Sequence, residues 1–520
     1  MENAALARPS GVAPAIELRG ICKSFGPVRA NHDISLSIAP GTVHGIVGEN
    51  GAGKSTLMSI LYGFYRADAG EIRIHGQRTA IPNSQAAIRA GIGMVHQHFM
   101  LVHNFTVLEN VVLGAEDGPL LAPALANARS LLTRLSEEYE LSVDPDAIIE
   151  NLSVGHQQRV EILKALFRQA DILILDEPTG VLTPAEAKHL FRILRNLRDE
   201  GKCIILITHK LQEILQVTDT VSVMRQGEMT ATVKTKDTSA DKLAQMMVGR
   251  KVLLRVDKTQ SNPGDIVLET RKLCVIDAHD VPRLKNVSLS VRRGEILGIA
   301  GVAGNGQTEL LAAIGGMTPA SGEIHIKGQK IRLSGSGADP RVRRQLGIAH
   351  VPEDRHRHAL VMEFHAWENM VLGYHNHRSF RRGSWFMNTF VIRTDSMERM
   401  RSFDVRPLLP ETIARSFSGG NQQKIVLARE FSRSPDLLIV GQPTRGVDIG
   451  AIEFIHQRIV DLRDAGVAVL LVSVELDEIL SLADRVAVMF DGSIIGERDI
   501  KDTDENELGL LMAGIAGGPA

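Results

Sequence analysis

Cysteine is scarce: three residues in 520, Cys22, Cys203 and Cys274, lie far apart and in no CxxC pair. That excludes a disulfide scaffold and a thiolate metal site, and it suits reduced thiols with packing roles. No charge of one sign dominates either, since 59 Lys and Arg face 61 Asp and Glu for a net charge of -2. A protein that grips a phosphate backbone carries a basic surplus, so nucleic acid is excluded as the main partner. Long apolar runs are missing too. None approaches the roughly 18 residues needed to cross a bilayer, so work at a membrane would require docking onto other subunits. The first residues, Met1 to Ala15, are rich in Ala and Pro and lack an apolar stretch behind a basic one. They read as a disordered tail over 1–14, not as a signal peptide.

What the chain has is a long-period internal repeat. Ile34-Ser-Leu-Ser-Ile38 before Gly41 returns as Val287-Ser-Leu-Ser-Val291 before Gly294. Phe105-Thr-Val-Leu-Glu-Asn110 returns as Phe364-His-Ala-Trp-Glu-Asn369. Ile172-Leu-Ile-Leu175 before Pro178 returns as Leu437-Leu-Ile-Val440 before Pro443. The offset grows from 287 − 34 = 253 to 443 − 178 = 265, so the second copy holds a few insertions. Two domains are expected, 15–250 and 265–520, joined by a polar linker over 251–264 that includes the stretch DKTQSNPGD. Short apolar runs such as Thr42–Val47, Ile172–Leu175 and Ile204–Ile207 read as buried parallel strands. Glu161–Arg168 and Glu186–Leu197 carry apolar residues at helical spacing, and the middle of each half, 98–150 and 354–416, reads as a helical subdomain. Strand, Gly-rich turn, helix and strand in succession give an α/β fold.

Gly48-Glu-Asn-Gly-Ala-Gly-Lys-Ser55 fits GxxxxGK[ST] behind a strand, with a helix expected to begin at Ser55-Thr56 and run on through LMSILYG. Glycines let backbone N–H groups wrap a phosphate, and the helix N-terminus adds favourable partial charge. Gly48, Glu49, Asn50, Gly51, Ala52 and Gly53 would form that cradle; Lys54 would bridge the β- and γ-phosphates and Ser55 would hold Mg²⁺. Ile172-Leu-Ile-Leu-Asp176-Glu177-Pro178 is a buried strand ending in two acids. Asp176 suits Mg²⁺ coordination and Glu177 a general base for water; a strand that merely exits into a charged turn would look similar in isolation.

Leu152-Ser-Val-Gly-His-Gln-Gln158 opens a helix ahead of Asp176, Gln97 follows the strand Gly93–Val95, and His209 ends the strand Ile204–Thr208. In this order and spacing the motifs resemble the ABC ATPase family over nearly the whole chain. The resemblance implies two tandem P-loop domains, each a RecA-like parallel-sheet core with a helical subdomain, using ATP and Mg²⁺. It gives Gln97 a place near Mg²⁺ and water, His209 the γ-phosphate, and Phe25 the adenine, although Phe25 reads equally as a core phenylalanine.

The second half departs in a pattern. Gly301-Val-Ala-Gly-Asn-Gly-Gln-Thr308 puts Gln307 where Lys54 stands. Gly441 and Gln442 stand for Asp176 and Glu177, Glu353 for Gln97, Val474 for His209, and Asp277 for Phe25. Yet Phe417-Ser-Gly-Gly-Asn-Gln-Gln423 is the better helix-opening motif, since Val154 replaces Gly419 in the first half. In the resembled family each ATP lies between one half's phosphate loop and the other's signature motif. That implies one competent site using Ser418, Gly419, Gly420 and Asp448 from the second half, and a second site with Val154 and Thr183. Arg355-His-Arg-His358 is expected to be a solvated loop, and Gly514–Ala520 a frayed tail.

Met94-Val-His-Gln-His-Phe-Met-Leu-Val102, the GVAGNGQT loop, Gln442-Pro-Thr-Arg-Gly446 and Ser473-Val-Glu-Leu-Asp-Glu478 are similar to the nucleoside (basic membrane protein type) branch of bacterial importer ATPases. Sugar importer ATPases are the alternative. The resemblance implies two permease subunits, an extracytoplasmic binding protein and a peripheral place on the cytoplasmic face of the inner membrane. A soluble relative acting on ribosomes or DNA would keep both hydrolytic sites and a long charged linker, and a non-hydrolysing sensor would not keep Lys54, Asp176, Glu177 and His209.

Overall fold

The computed structural model describes residues 13–515 apart from Pro27, 97–98, 115–120, Val181, His209, 251–255, Asp257, Ala303, 336–337, 384–385 and Asp448; of 121–127, Val154 and Ile449 it describes the backbone. The chain divides into two compact units, Met1–Val252 and Leu253–Ala520.

Each unit is built on a six-stranded sheet. In the first, the strands run in the order Glu228–Lys234, Thr220–Arg225, Val43–Gly48, Cys203–Ile207, Ile172–Asp176 and Ile92–Val95. All neighbours are parallel except the Thr220–Arg225 and Glu228–Lys234 pair. The second unit repeats this order with Ser493–Asp499, Arg485–Phe490, Ile296–Ala300, Ala468–Ser473, Leu437–Gly441 and Ile348–Val351. A four-stranded antiparallel sheet accompanies each: Val28–Ile38, Ile16–Phe25, Ala69–Ile74 and Gln77–Arg78 in the first, Pro282–Arg292, Ile266–Ile276, Ser321–Ile326 and Gln329–Ile331 in the second.

The continuous apolar runs follow from burial on both faces. In Leu437–Gly441, Leu438 and Val440 enter one core cluster while Leu437 and Ile439 enter the other. In Ala468–Ser473, Val469 and Leu471 alternate in the same way with Leu470 and Val472. Because the parallel strands end together, their carboxyl ends gather the loops at one edge of the sheet, where α/β folds bind ligands.

The repeated Phe105–Asn110 and Phe364–Asn369 stretches are helix entries. Thr106 and Glu109 form a capping box at Val107–Val112, and Asn110 ties the preceding loop through Val102. Glu368 accepts from the His365 N–H at 2.8 Å, and Asn369 repeats the tie through Val361. The middle of the first unit adds the helix Leu121–Glu138, and that of the second adds Thr389–Ser402. The second unit also holds two short paired strands there, Arg381–Arg382 and Phe386–Met387, which the sequence did not signal.

Arg355–His358, expected as a solvated loop, is a helical turn capped by Asp354, with none of its residues buried. In the expected linker stretch, Arg463 donates to the Thr259 carbonyl at 3.0 Å, and Lys258 bonds the Ala483 carbonyl. Residues 1–12, most of the expected tail, and 516–520 lie outside the described residues. Among the described residues, no helix is long and apolar enough to cross a membrane.

Candidate functional site

The phosphate loop leaves the buried strand Val43–Gly48 and enters the helix Lys54–Leu61, one residue earlier than expected. Gly53 sets that entry. Its φ is +97°, and a Cβ there would lie 2.2 Å from the Ala30 carbonyl oxygen, so only glycine fits. Asn31, buried in the neighbouring strand, donates to the Gly53 carbonyl at 3.1 Å. Lys54 is buried and folds back on its own loop, donating to the Gly48 carbonyl at 2.6 Å and the Glu49 carbonyl at 3.0 Å. Burial pulls its pKa below the usual lysine range, against the opposing charges of Glu177, Asp176 and Glu49. Ser55 is exposed beside it.

Asp176 ends the strand Ile172–Asp176, between strands on either side. Burial, reinforced by the Glu177 carboxylate and opposed by Lys54, pushes its pKa up to about 6. Glu177 takes a left-handed backbone, φ +51°, and its N–H donates to the Ile207 carbonyl at 2.8 Å. This kink turns the chain at the end of the strand. Thr179, just beyond, donates to Glu213 at 2.5 Å. A cation-hungry pair of acids, a folded-back lysine and a glycine cradle together fit a magnesium nucleotide, because each carboxylate and the ammonium gain by facing charges of opposite sign.

The second unit keeps the backbone of this arrangement and changes its groups. Gly306 enters the helix Gln307–Ile314 with φ +103°, and Gln307 donates to the Val302 carbonyl at 3.2 Å, as Lys54 does to its loop but without charge. Gln442 has φ +49°, and its N–H donates to the Val472 carbonyl at 2.8 Å, matching Glu177. A carboxylate comes here from Glu353, which accepts from the Thr308 hydroxyl at 2.6 Å. Burial raises its pKa.

The helix-opening motifs also differ. Ser153 caps Val154–Phe167, and its hydroxyl lies 2.8 Å from His156 Nδ1. Ser418 precedes Gly419–Phe431 without a side-chain cap, and its hydroxyl accepts from the Asn421 amide at 2.9 Å. Gln157 and Gln422 hold equivalent carbonyls behind the two motifs. Phe25 ends its strand half exposed, edge-on to Tyr65 at 5.1 Å, and so is not a core residue.

Of the sequence-picked residues, the loop Gly48–Thr56, Asp176 and Glu177 come together at one sheet edge, with Phe25 on the antiparallel sheet. Gln97, His209 and Asp448 lie outside the described residues. Sequence reasoning missed Asn31, the Thr308–Glu353 bond, and the place of Arg355 against Gly419. Only Asn31 left a signal, as a polar residue inside an alternating strand.

The family model for ABC transporters matches residues 31–180 and 284–445. The nucleoside import ATP-binding protein NupA of Lactococcus lactis subsp. cremoris is 48% identical over 501 residues, covering 96% of this chain and 98% of its own. The guanosine import ATP-binding protein NupO of Bacillus subtilis is 46% identical over 504 residues, covering 96% and 97%. The glucose import ATP-binding protein TsgD13 of Haloferax volcanii is 45% identical over 533 residues, covering 96% of each. Among solved structures, the complex of archaeal ribosomal stalk protein aP1 with archaeal ribosome recycling factor aABCE1 aligns with a TM-score of 0.62 over 95% of this chain and 92% of that one. At 18% identity that likeness is one of fold alone.

Proposed function

Because this chain belongs to the ABC transporter ATP-binding family, whose members are ATPases that power transport, we propose that it energises a bacterial importer of nucleosides through one ATP site that turns over. The observation that carries the reading is the segregation of groups: Lys54, Asp176 and Glu177 surround the first loop, while Gln307, Gly441 and Gln442 surround the second.

Lys54 leaves its loop carbonyls for the β- and γ-phosphates, and the backbone N–H groups from Gly48 to Thr56 cradle them. Ser55, Asp176 and Gln97 would hold Mg²⁺, which when bound draws charge from the phosphates. Glu177 accepts the proton of the attacking water, His209 faces the γ-phosphate, and Phe25 stacks on adenine. The second half contributes Ser418, Gly419, Gly420 and Asp448 to this same nucleotide. With no base at Gln442, the second loop does not hydrolyse.

The partners in this reading are two permease subunits and an extracytoplasmic binding protein, with the chain held on the cytoplasmic face of the inner membrane through the permeases. Nucleosides are favoured as cargo by the two relatives whose printed cargoes are a nucleoside and guanosine, and by the VHQHFMLV, GVAGNGQT and GQPTRG stretches. A simple sugar is the second reading, on the strength of the glucose importer relative. Deleting the gene and following labelled purine and pyrimidine nucleosides beside ribose, galactose and glucose separates the two. Loss of nucleoside uptake is expected; loss of sugar uptake alone overturns the cargo and leaves the ATPase reading standing.

A further inference from the structure

The second unit carries a stretch that its repeat lacks. Two ties mark the ends of the matching segments. Asn110 and Asn369 each donate to the carbonyl eight residues back, and the ion pairs Arg129–Asp146 and Arg393–Glu411 fall at equivalent places. The offset is 369 − 110 = 259 at the first tie and 393 − 129 = 264 at the second, so 264 − 259 = 5 residues are inserted between them. Between the ties the first half has the acids Glu116 and Asp117, with no Lys, Arg or aromatic residue. The second half has Arg378, Arg381 and Arg382, five aromatic residues and no acid, in a chain whose net charge is -2.

The inserted stretch is braced at its base. Phe380 is buried with Trp367, Val371 and Ile392, Arg433 lies over its ring at 5.0 Å, and its carbonyl accepts from the Asn388 N–H at 2.8 Å. Beyond that base Arg381 pairs with Met387 and Arg382 with Phe386 across the two short strands, so each cation stands opposite an apolar side chain. Phe390 follows in the first turn of Thr389–Ser402. Phe380 and Ile392 fill the inner places, and the outer apolar side chains are left in water: Phe386 is 74% exposed, Phe390 79% and Met387 49%. Arg378, Arg381 and Arg382 are exposed as well, and among the described residues none of the three forms an ion pair. An exposed apolar patch of this kind, ringed by cations, marks a surface that something covers.

We propose that this patch is a docking surface for an anionic phospholipid bilayer: Phe386, Met387 and Phe390 enter the interfacial layer while Arg378, Arg381 and Arg382 lie against the headgroup phosphates. This rests on the reading above that the chain works on the cytoplasmic face of the membrane. Charge complementarity names the occupant. A headgroup layer that includes anionic lipids is a continuous sheet of negative charge, and the guanidinium fork matches its phosphate oxygens. Apolar side chains on a short ribbon need no matching cleft to enter a lipid interface, and the long arginine stems let charge and ring settle at different depths. The patch would give the second unit a hold on the bilayer besides the one through the permeases.

The test is flotation of the full-length chain with vesicles of phosphatidylcholine alone and of phosphatidylcholine mixed with phosphatidylglycerol. The chain is expected to float with the mixed vesicles, to leave them as salt rises and to ignore the neutral ones. Removing both rings by Phe386→Ser with Phe390→Ser is expected to weaken binding about ten-fold or more. Arg378→Gln with Arg382→Gln is expected to weaken it on the order of twenty-fold, about five-fold for each cation lost. All four positions are exposed, and both double variants are expected to bind MgATP as the parent does, which shows the fold intact. A chain that does not float with the mixed vesicles, equal binding to neutral and mixed vesicles, or a double variant that floats as well as the parent overturns the inference. So does a chain that ignores vesicles while its ring variant no longer assembles with the permease subunits, since that assigns the patch to protein. Absence of the chain from the membrane fraction of cells that make the permeases overturns the membrane-face reading itself, whatever the vesicles show.

Discussion

Glu353 occupies the space that a side chain at Gly441 would need: a Cβ on Gly441 would lie 2.6 Å from Glu353 Cγ and 2.6 Å from Leu311 Cδ1. A strand-end acid at 441 and the side chain of Glu353, just beyond the neighbouring strand, thus compete for the same space. Restoring the acid by Gly441→Asp is expected to destabilise the second unit by about 1–3 kcal/mol, the usual cost of overpacking. Adding Glu353→Ala removes Cγ and should recover part of that loss, with the contact to Leu311 Cδ1 remaining. Thermal unfolding of the two single variants and the double variant checks it, with additive losses counting against the clash.

Glu177 is expected to be the base. Glu177→Gln should cut steady-state ATPase activity of the assembled transporter by on the order of 10²-fold or more while nucleotide still binds. Near-normal turnover in that variant would remove Glu177 from its role.

Asp176 carries a pH signature. Its pKa is raised from 3.8 to about 6 in the fold, chiefly by burial, so the folded chain holds a proton that the unfolded chain releases. The stabilising contribution is therefore complete below about pH 3.8 and is lost as pH rises to about 6. Asp176→Asn should flatten stability across that window and raise it at pH 7 by on the order of 1–3 kcal/mol. Magnesium needs the ionised acid, so MgATP binding should weaken as pH drops below about 6, by up to about ten-fold per unit. A pH-independent MgATP affinity between pH 5 and pH 7.5 would contradict the assignment.

Ser418 and Ser153 separate the two helix-opening motifs. The Ser418 hydroxyl is held by Asn421 and caps nothing, while Ser153 caps its own helix. Ser418→Arg is expected to stop ATP hydrolysis in the assembled transporter. Ser153→Arg is expected to lose a cap worth about 1 kcal/mol and to turn over more slowly at most. Activity lost equally from both, or more from Ser153→Arg, would refute the division of labour.

The parts of the site that read directly from the sequence are contiguous ones. Gly48–Ser55 and Asp176–Glu177 declare themselves because a phosphate cradle and a strand-end acid pair are each local in the chain. The tandem architecture was equally legible, since the repeat carries its own strand and cap signals. What stayed hidden depends on residues distant in sequence. Asn31 stands out only as a polar residue in its strand, with no sign that it will hold Gly53, and nothing near Thr308 says that Glu353, 45 residues on, will accept a hydrogen bond from its hydroxyl. Arg355–His358 reads as a solvated charge run, and nothing beside it says that the Arg355 guanidinium will lie over Gly419. Nothing near the polar stretch at Lys258 and Thr259 says that Arg463, 204 residues away, will bond it.

The left-handed turn shared by Glu177 and Gln442 bears on the history of the molecule. Such a conformation is unfavourable for a residue with a side chain, and the second half has kept it, along with the hydrogen bond that fixes it, although glutamine stands there in place of the acid. At this turn the two halves therefore differ in side chain and share a backbone. The same turn makes the ancestor approachable in the laboratory: Gln307→Lys, Gly441→Asp and Gln442→Glu would place a second set of reactive groups on a backbone already bent to receive them, once Glu353 and Leu311 are cut back to make room for the new acid.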